Sequence, residues 1–236
     1  MSGPATRLGA TRDRILAAAE ALFMEHGYAV TSLREITARA RVNLAAVNYH
    51  FGSKEALVRE VFERRLGPLN AARLAFLDRL EAAAKGRPLP VERIVEAIVV
   101  PAIRVSHDPL AGGAVFLRLL GRAMVEPTNY VREILPAHYR DVIVRFKDAL
   151  GRALPHIPRQ ELAWRMHFMF GAMSYTMAGN DTLQLIGSCR LDGADDAEAI
   201  VRRLIPFLAA GLRAPVPASA SRAPRRAVGT IGRKAA

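Results

Sequence analysis

The sequence predicts an all-α protein. Apolar residues recur at helical spacing along most of the chain, and no stretch sustains period-two alternation. A third observation narrows the class. Residues 31–54, TSLREITARARVNLAAVNYHFGSK, hold a capped helix, a three-residue break and a second short helix. They predict a helix-turn-helix inside an N-terminal three-helix domain, with a larger helical bundle behind it.

Residues 1–10 place Gly, Ala, Pro and Thr around Arg7 and predict a disordered arm. A helix is expected over about 11–26, because Ile15, Leu16, Ala19, Leu22 and Phe23 share one face. Thr11 can cap it, and Gly27 supplies a left-handed stop. Ser32 and Glu35 have capping-box spacing. Leu33, Ile36 and Ala40 follow on one face, and Arg41-Val42-Asn43 breaks the run. Asn43 is a good cap for the next helix. There, Val47 and Phe51 lie four apart and are assigned to the core, leaving Leu44, Ala45, Asn48 and Tyr49 outward. Gly52 ends that helix, and Ser53 caps another.

Leu57, Val58, Val61, Phe62 and Leu66 form the stripe of this fourth helix. Gly67-Pro68 is expected to kink or break it, because proline removes a donor and clashes one turn back. The boundary between a first domain, 11–66, and a second, 67–212, is placed there. Leu69, Leu74, Leu77 and Leu80 resume the stripe, and residues 85–90 make a turn. Val91, Ile94, Val95, Ile98, Val99, Ala102 and Ile103 have nearly ideal amphipathic spacing, with Pro101 inside the run. Further helices are expected over about 110–125 and over 128–154, the latter interrupted at Pro136. Residues 159–179 are apolar nearly all round, so every side must be covered; a cavity or core on one flank and a second subunit on the other would do it. A last helix over 195–212 carries Pro206 as a kink. Beyond it, 213–236 predicts a disordered basic tail.

The chain has 236 residues, 51% of them hydrophobic, and a formal charge of +12. Half of that charge sits in the tail, on Arg213, Arg222, Arg225, Arg226, Arg233 and Lys234. A basic balance suits nucleic acid, although ribosomal and membrane-surface proteins share it. Cys189 is alone, so no disulfide framework is expected within one chain. No signal peptide or membrane span is read, and a cytoplasmic protein is expected.

An outward Asn-Tyr pair flanked by His50 and Lys54 has a natural destination. In a major groove, Asn can pair bidentately with adenine, and apolar groups can meet a thymine methyl. Residues 11–66 resemble the DNA-binding domain of the TetR family of bacterial transcriptional repressors. The resemblance rests on Ile15, Ala19, Phe23, Gly27, Thr31, Ile36, Ala40, Val42, Tyr49-His50-Phe51, Ser53-Lys54-Glu55 and Leu57. It implies a homodimer on a palindromic double-stranded operator. Lys54 and His50 would hold phosphates, Arg34 would reach backbone or a base edge, and Leu44, Ala46, Asn48 and Tyr49 would face the bases or sugar-phosphate. Ser32 and Asn43 complete the candidate DNA-binding set. Two positions depart from the family pattern, which often has Gly at Ala45 and Tyr at Asn48. The readout surface therefore differs from that of relatives.

Residues 116–127, FLRLLGRAMVEP, and 162–179, LAWRMHFMFGAMSYTMAG, resemble the effector domain of a TetR subgroup that includes regulators responsive to fatty acids or acyl-CoA. The resemblance implies dimerisation through the last two helices and an apolar pocket among the middle ones. The candidate effector set is Arg118, Arg122, Met166, His167, Phe170 and Met173. Arg118 and Arg122, four apart, suit an acyl carboxylate or phosphate, or an acid such as Glu126. The Met and Phe stripe suits either a flexible ligand or plain core. His167 reads first as a satisfied core histidine, with ligand contact as the alternative. No catalytic residue, metal ligand or cofactor is expected. The chain carries no Gly-rich phosphate loop, His-Glu-x-x-His, paired Cys or Gly-x-Ser-x-Gly.

A competing reading is a non-specific DNA-compacting protein driven by its basic tail. The two readings separate on one experiment. A ligand-gated regulator should keep sequence-selective binding when 213–236 is deleted, whereas a compacting protein should lose binding altogether and never prefer an operator over scrambled DNA.

Overall fold

The computed structural model describes residues 4–107, 129–178 and 196–217, together with Gly113, Phe116, Leu120, Ile186 and Gly187. Eight helices and no strand occur among the described residues. They are α1 Pro4–His26, α2 Leu33–Ala40, α3 Leu44–Phe51, α4 Lys54–Ala84, α5 Val91–His107, α6 Asn129–Ala153, α7 Arg159–Ala178 and α8 Ala197–Arg213. Apart from Gly113, Phe116 and Leu120, the helix expected over 110–125 lies outside the described residues, as do the tail beyond residue 217, Arg118, Arg122, Glu126 and Cys189. No helix among the described residues is long and apolar enough to cross a membrane.

Three expectations need correction. The disordered arm assigned to residues 1–10 is instead helical from Pro4 onward. Proline suits a first helical position, where its missing N–H has no partner to lose. The lone interior glycine, Gly9, costs only about 1 kcal/mol there. The second correction is the break at Gly67-Pro68: α4 runs unbroken through it for 31 residues. The third is the interruption at Pro136, which lies inside a continuous α6. Pro68 and Pro136 are both exposed. Their rings lie on the solvent side, so the carbonyl each leaves free one turn back can meet water.

The first core cluster joins Ile15, Ala19 and Phe23 of α1 to Ile36, Val47, Phe51 and the α4 stripe. It does not stop at residue 66. Leu69, Ala102, Phe116, Leu120 and Tyr139 belong to the same cluster. The head is thus packed onto the body as well as linked to it by α4. A second cluster fills the body with Leu77, the apolar face of α5, Phe146, Met166, Met169, Met173 and Leu208.

Polar contacts fix how these helices meet. Arg65 of α4 pairs with Glu20 of α1, with side-chain exposures of 17% and 5%. Arg12 pairs with Glu60 and lies 5.5 Å from the Phe51 ring centroid. Deeper in, Arg73 is 2% exposed. It donates to the Ile98 carbonyl at 3.0 Å and to Asn70 Oδ1 at 3.2 Å, and its guanidinium lies 6.0 Å from the Tyr139 ring centroid. Asn70 in turn donates to the His138 carbonyl at 3.0 Å. Glu20→Ala removes a charge-assisted hydrogen bond between α1 and α4 and is expected to lower the unfolding free energy by about 2 kcal/mol, read as a lower urea midpoint at unchanged slope.

Candidate nucleic-acid interface

The helix-turn-helix is built by capping at each end. Ser32 has extended backbone, and its hydroxyl accepts from Glu35 N at 3.2 Å. Glu35 Oε2 accepts from Ser32 N at 2.6 Å, closing the capping box. The Ser32 N–H, and then the Ser32 hydroxyl at 2.8 Å, donate to the Glu35 carboxylate and hold it below its usual range. At the other end of α2, Arg41 takes φ 53°, ψ 52°. Val42 N donates to Thr37 O at 3.0 Å, and Arg41 N to Ala38 O at 3.2 Å. This is a Schellman closure with arginine where glycine is the usual choice. It leaves an exposed cation in the turn, which the candidate list omitted. A basic residue between two capped helices was the available signal.

Asn43 then caps α3, its Oδ1 accepting from Ala46 N at 2.9 Å. Thr31 anchors the loop before α2, donating to the Gly27 carbonyl at 2.8 Å from a buried position. Val47 is fully buried and Phe51 nearly so, as their spacing predicted. That orients the opposite face outward. Tyr49 is 75% exposed and Leu44 is 45% exposed, while Ala45 and Asn48 are also exposed. Ala46 and His50 are half-buried, and the Tyr49 and His50 rings meet edge-on at 5.1 Å. Arg34 is exposed on α2. Lys54, at the start of α4, donates to the Ala29 carbonyl at 3.3 Å. Burial holds its pKa below the usual lysine value, with Glu55 and Glu35 opposing the shift. One of its three protons is engaged there, and two are left for a phosphate.

The residues expected to meet DNA divide between two structural roles. Ser32 and Asn43 use their side-chain oxygens to hold helix ends. The side chains of Arg34, Leu44, Asn48 and Tyr49 make no hydrogen bond to another described residue and face solvent.

The model described as bacterial regulatory proteins of the tetR family matches residues 15–61. A tetracyclin repressor-like C-terminal domain matches residues 96–211. Together the two span more than half of the chain. The chain belongs to the TetR family.

Among TetR-family and related regulators, an HTH-type transcriptional repressor of Mycobacterium tuberculosis is 51% identical over 49 residues, 21% of this chain and 26% of that protein. The HTH-type transcriptional regulator UidR of Escherichia coli is 26% identical over 129 residues, 54% of this chain and 59% of UidR. Each alignment thus spans less than two thirds of the relative. The fatty acid degradation regulator FadR from Bacillus halodurans superposes with a TM-score of 0.57 at 17% identity, covering 91% of this chain and 100% of that one. FadR from Bacillus subtilis in complex with stearoyl-CoA gives 0.57 at 15% identity, covering 84% and 97%. At these identities the likeness is one of fold.

The body of this TetR-family chain places the effector candidates differently from one another. Met166 and Met173 are buried in the second core cluster, and Phe170 packs against it. The expectation of a core histidine at 167 is corrected, because His167 lies exposed on the outer face of α7, with its ring centroid 6.2 Å from that of Trp164. Leu162, Arg165, Met166, Met169 and Met173 take the inner face, which leaves position 167 no route inward. Cavities among the described residues flank α5. One of about 430 Å³ lies against α4, and one of about 510 Å³ against the start of α8. Neither is lined by Met166, Phe170 or Met173.

The two roles on the head can be separated by stability. Asn43→Ala is expected to cost about 1 kcal/mol through its cap. Tyr49→Ala should stay within about 0.5 kcal/mol, both measured by urea unfolding followed by circular dichroism.

Proposed function

We propose that this protein is a ligand-responsive transcriptional repressor that binds a palindromic operator as a homodimer. The observation that carries the reading is the outward face of α3. Asn48 and Tyr49 project from a helix whose opposite side is locked into the core, capped by Asn43, and flanked by His50 and Lys54. The short rigid helix fits a major groove, with Asn48 and Tyr49 addressing base edges or sugar-phosphate and Lys54, His50 and Arg34 addressing the backbone. Two-fold symmetry would set two copies of α3 about 34–36 Å apart, one turn of duplex.

The dimer is supported by an uncovered apolar stripe. Trp164, Phe168, Gly171 and Tyr175 run down one face of α7, all exposed, with Phe168 63% exposed. Phe207 of α8 is also exposed. Trp164 and Phe168 stack at 5.9 Å between ring centroids. So many large apolar side chains in one patch are the mark of an interface. A second copy, seated on the same patch, covers both surfaces at once.

The effector is read as a fatty acid or acyl-CoA. The resemblance of residues 162–179 and the fold shared with the stearoyl-CoA-bound FadR support it. The ligand acts by favouring one of two packings of the body, and so one separation of the two heads. No catalytic role is assigned.

Selection from random duplexes should recover a palindrome, and an acyl-CoA should release the protein from it where a planar aromatic drug or a bile-acid-like compound does not. Lys54→Ala is expected to weaken binding to operator and scrambled DNA alike, and to reduce the slope of log K against log salt by about one. An unchanged slope would remove Lys54 from the phosphate contacts. Phe168→Arg with Phe207→Arg is expected to give monomers in light scattering. A persisting dimer would move the interface elsewhere.

A further inference from the structure

The turn of the helix-turn-helix holds a residue in a conformation that its side chain disfavours. Arg41 closes α2 at φ 53°, ψ 52°, in the left-handed region. There a Cβ crowds the following carbonyl oxygen, and glycine escapes the penalty because it has none. The chain uses glycine for similar backbone elsewhere, with Gly27, Gly52 and Gly86 at φ 84°, 75° and 82°. Among the described residues, Arg41 and Lys85 are the ones other than glycine with positive φ. Glycine at 41 would keep both hydrogen bonds of the turn, because Arg41 and Val42 make them through their backbone N–H groups. The turn itself thus needs no side chain at this position.

The guanidinium is also idle within the fold. Arg41 is exposed, and its side chain makes no hydrogen bond or ion pair with another described residue. Arg39, two positions earlier, reaches Glu25 at 2.7 Å. Glu35 is held by the Ser32 N–H and hydroxyl. The acids beside α2 are therefore engaged, and Arg41 keeps its charge for a partner outside the chain. Backbone strain that a fold retains collects at functional positions.

Placement identifies the partner. Arg34 and Arg41 are seven residues apart, two turns of α2 and about 10 Å along its axis. Arg34, Ala38 and Arg41 are all exposed along that edge. In helix-turn-helix docking the first helix crosses the phosphate backbone while the second lies in the groove. Asn43, two residues on, already caps α3. Arg41 thus stands at the joint between the helix on the backbone and the helix in the groove. A guanidinium fork matches phosphate oxygens.

We propose that Arg41 is a DNA-backbone contact, a phosphate clamp at the α2–α3 joint that the fold retains despite its cost to stability. The inference rests on the reading of α3 as the helix in the groove and adds a contact beside it.

The test sets Arg41→Gly against Lys85→Gly in the full chain. Each removes one positive charge from a left-handed helix end, and Lys85 lies about 45 Å along α4 from Lys54. Neither variant should lower the urea midpoint. Arg41→Gly should weaken binding to the selected palindrome and to a scrambled duplex of equal length alike, by roughly tenfold per head. It should also reduce the slope of log K against log salt by about one per head. Arg41→Lys restores the charge without the fork and should recover the slope and part of the affinity. Lys85→Gly should match wild type on both duplexes. An unchanged slope in Arg41→Gly, an equal loss in Lys85→Gly, or a lowered urea midpoint in Arg41→Gly overturns the contact and leaves the regulator reading standing. Wild type that binds neither duplex overturns both.

Discussion

Everything in this structure depends on α4 remaining one helix. It starts at the edge of the DNA-reading head and ends at the far side of the body, and its buried residues contribute to both core clusters. Leu57, Val58, Val61 and Phe62 close the head, Leu66 and Leu69 pass into the shared core, and Leu77 belongs to the body. A rod embedded at both ends makes the angle of the head a property of the packing of the body. Had Pro68 broken α4, as proline inside a helix readily does, only the shared core cluster would hold the head to the body.

Apolar packing along such a rod sets burial but tolerates small slides, and polar contacts remove that freedom. Arg73 and Asn70 tie α4 to the Ile98 carbonyl of α5 and the His138 carbonyl of α6. Arg165 does the same between α7 and α8. It donates to the Leu212 carbonyl at 2.7 Å and the Pro215 carbonyl at 3.3 Å while pairing with Glu161 at 2.8 Å. A carbonyl otherwise unpaired at the end of α8 is thereby satisfied by a buried charge from its neighbour. Each contact has a direction as well as a distance, so each fixes the register of two helices.

The same separation of roles within one helix recurs at both functional faces. α3 buries Val47 and Phe51 and frees Asn48 and Tyr49. α7 buries Met166, Met169 and Met173 and frees Trp164, Phe168 and Tyr175. On α3 the free face is polar and aromatic, suited to base edges and phosphates. On α7 it is apolar, suited to another copy of itself.

The sequence by itself determined the helices, the capping box, the Asn43 cap, the buried and outward faces of α3, and the amphipathic stripe of α5. These follow from periodicity and short-range hydrogen bonding, which act over a few residues. It also carried the family, through motifs concentrated in 31–57. What only the tertiary structure decided was whether a local weakness matters. Pro68 and Pro136 stay within their helices because solvent lies on their side. His167 is exposed because its neighbours at 162, 165, 166, 169 and 173 claim the interior. Arg73 is buried because partners 25 and 68 positions along the chain from it and from Asn70 come within reach. No local pattern encodes such pairings, since their free energy exists only once distant helices have met.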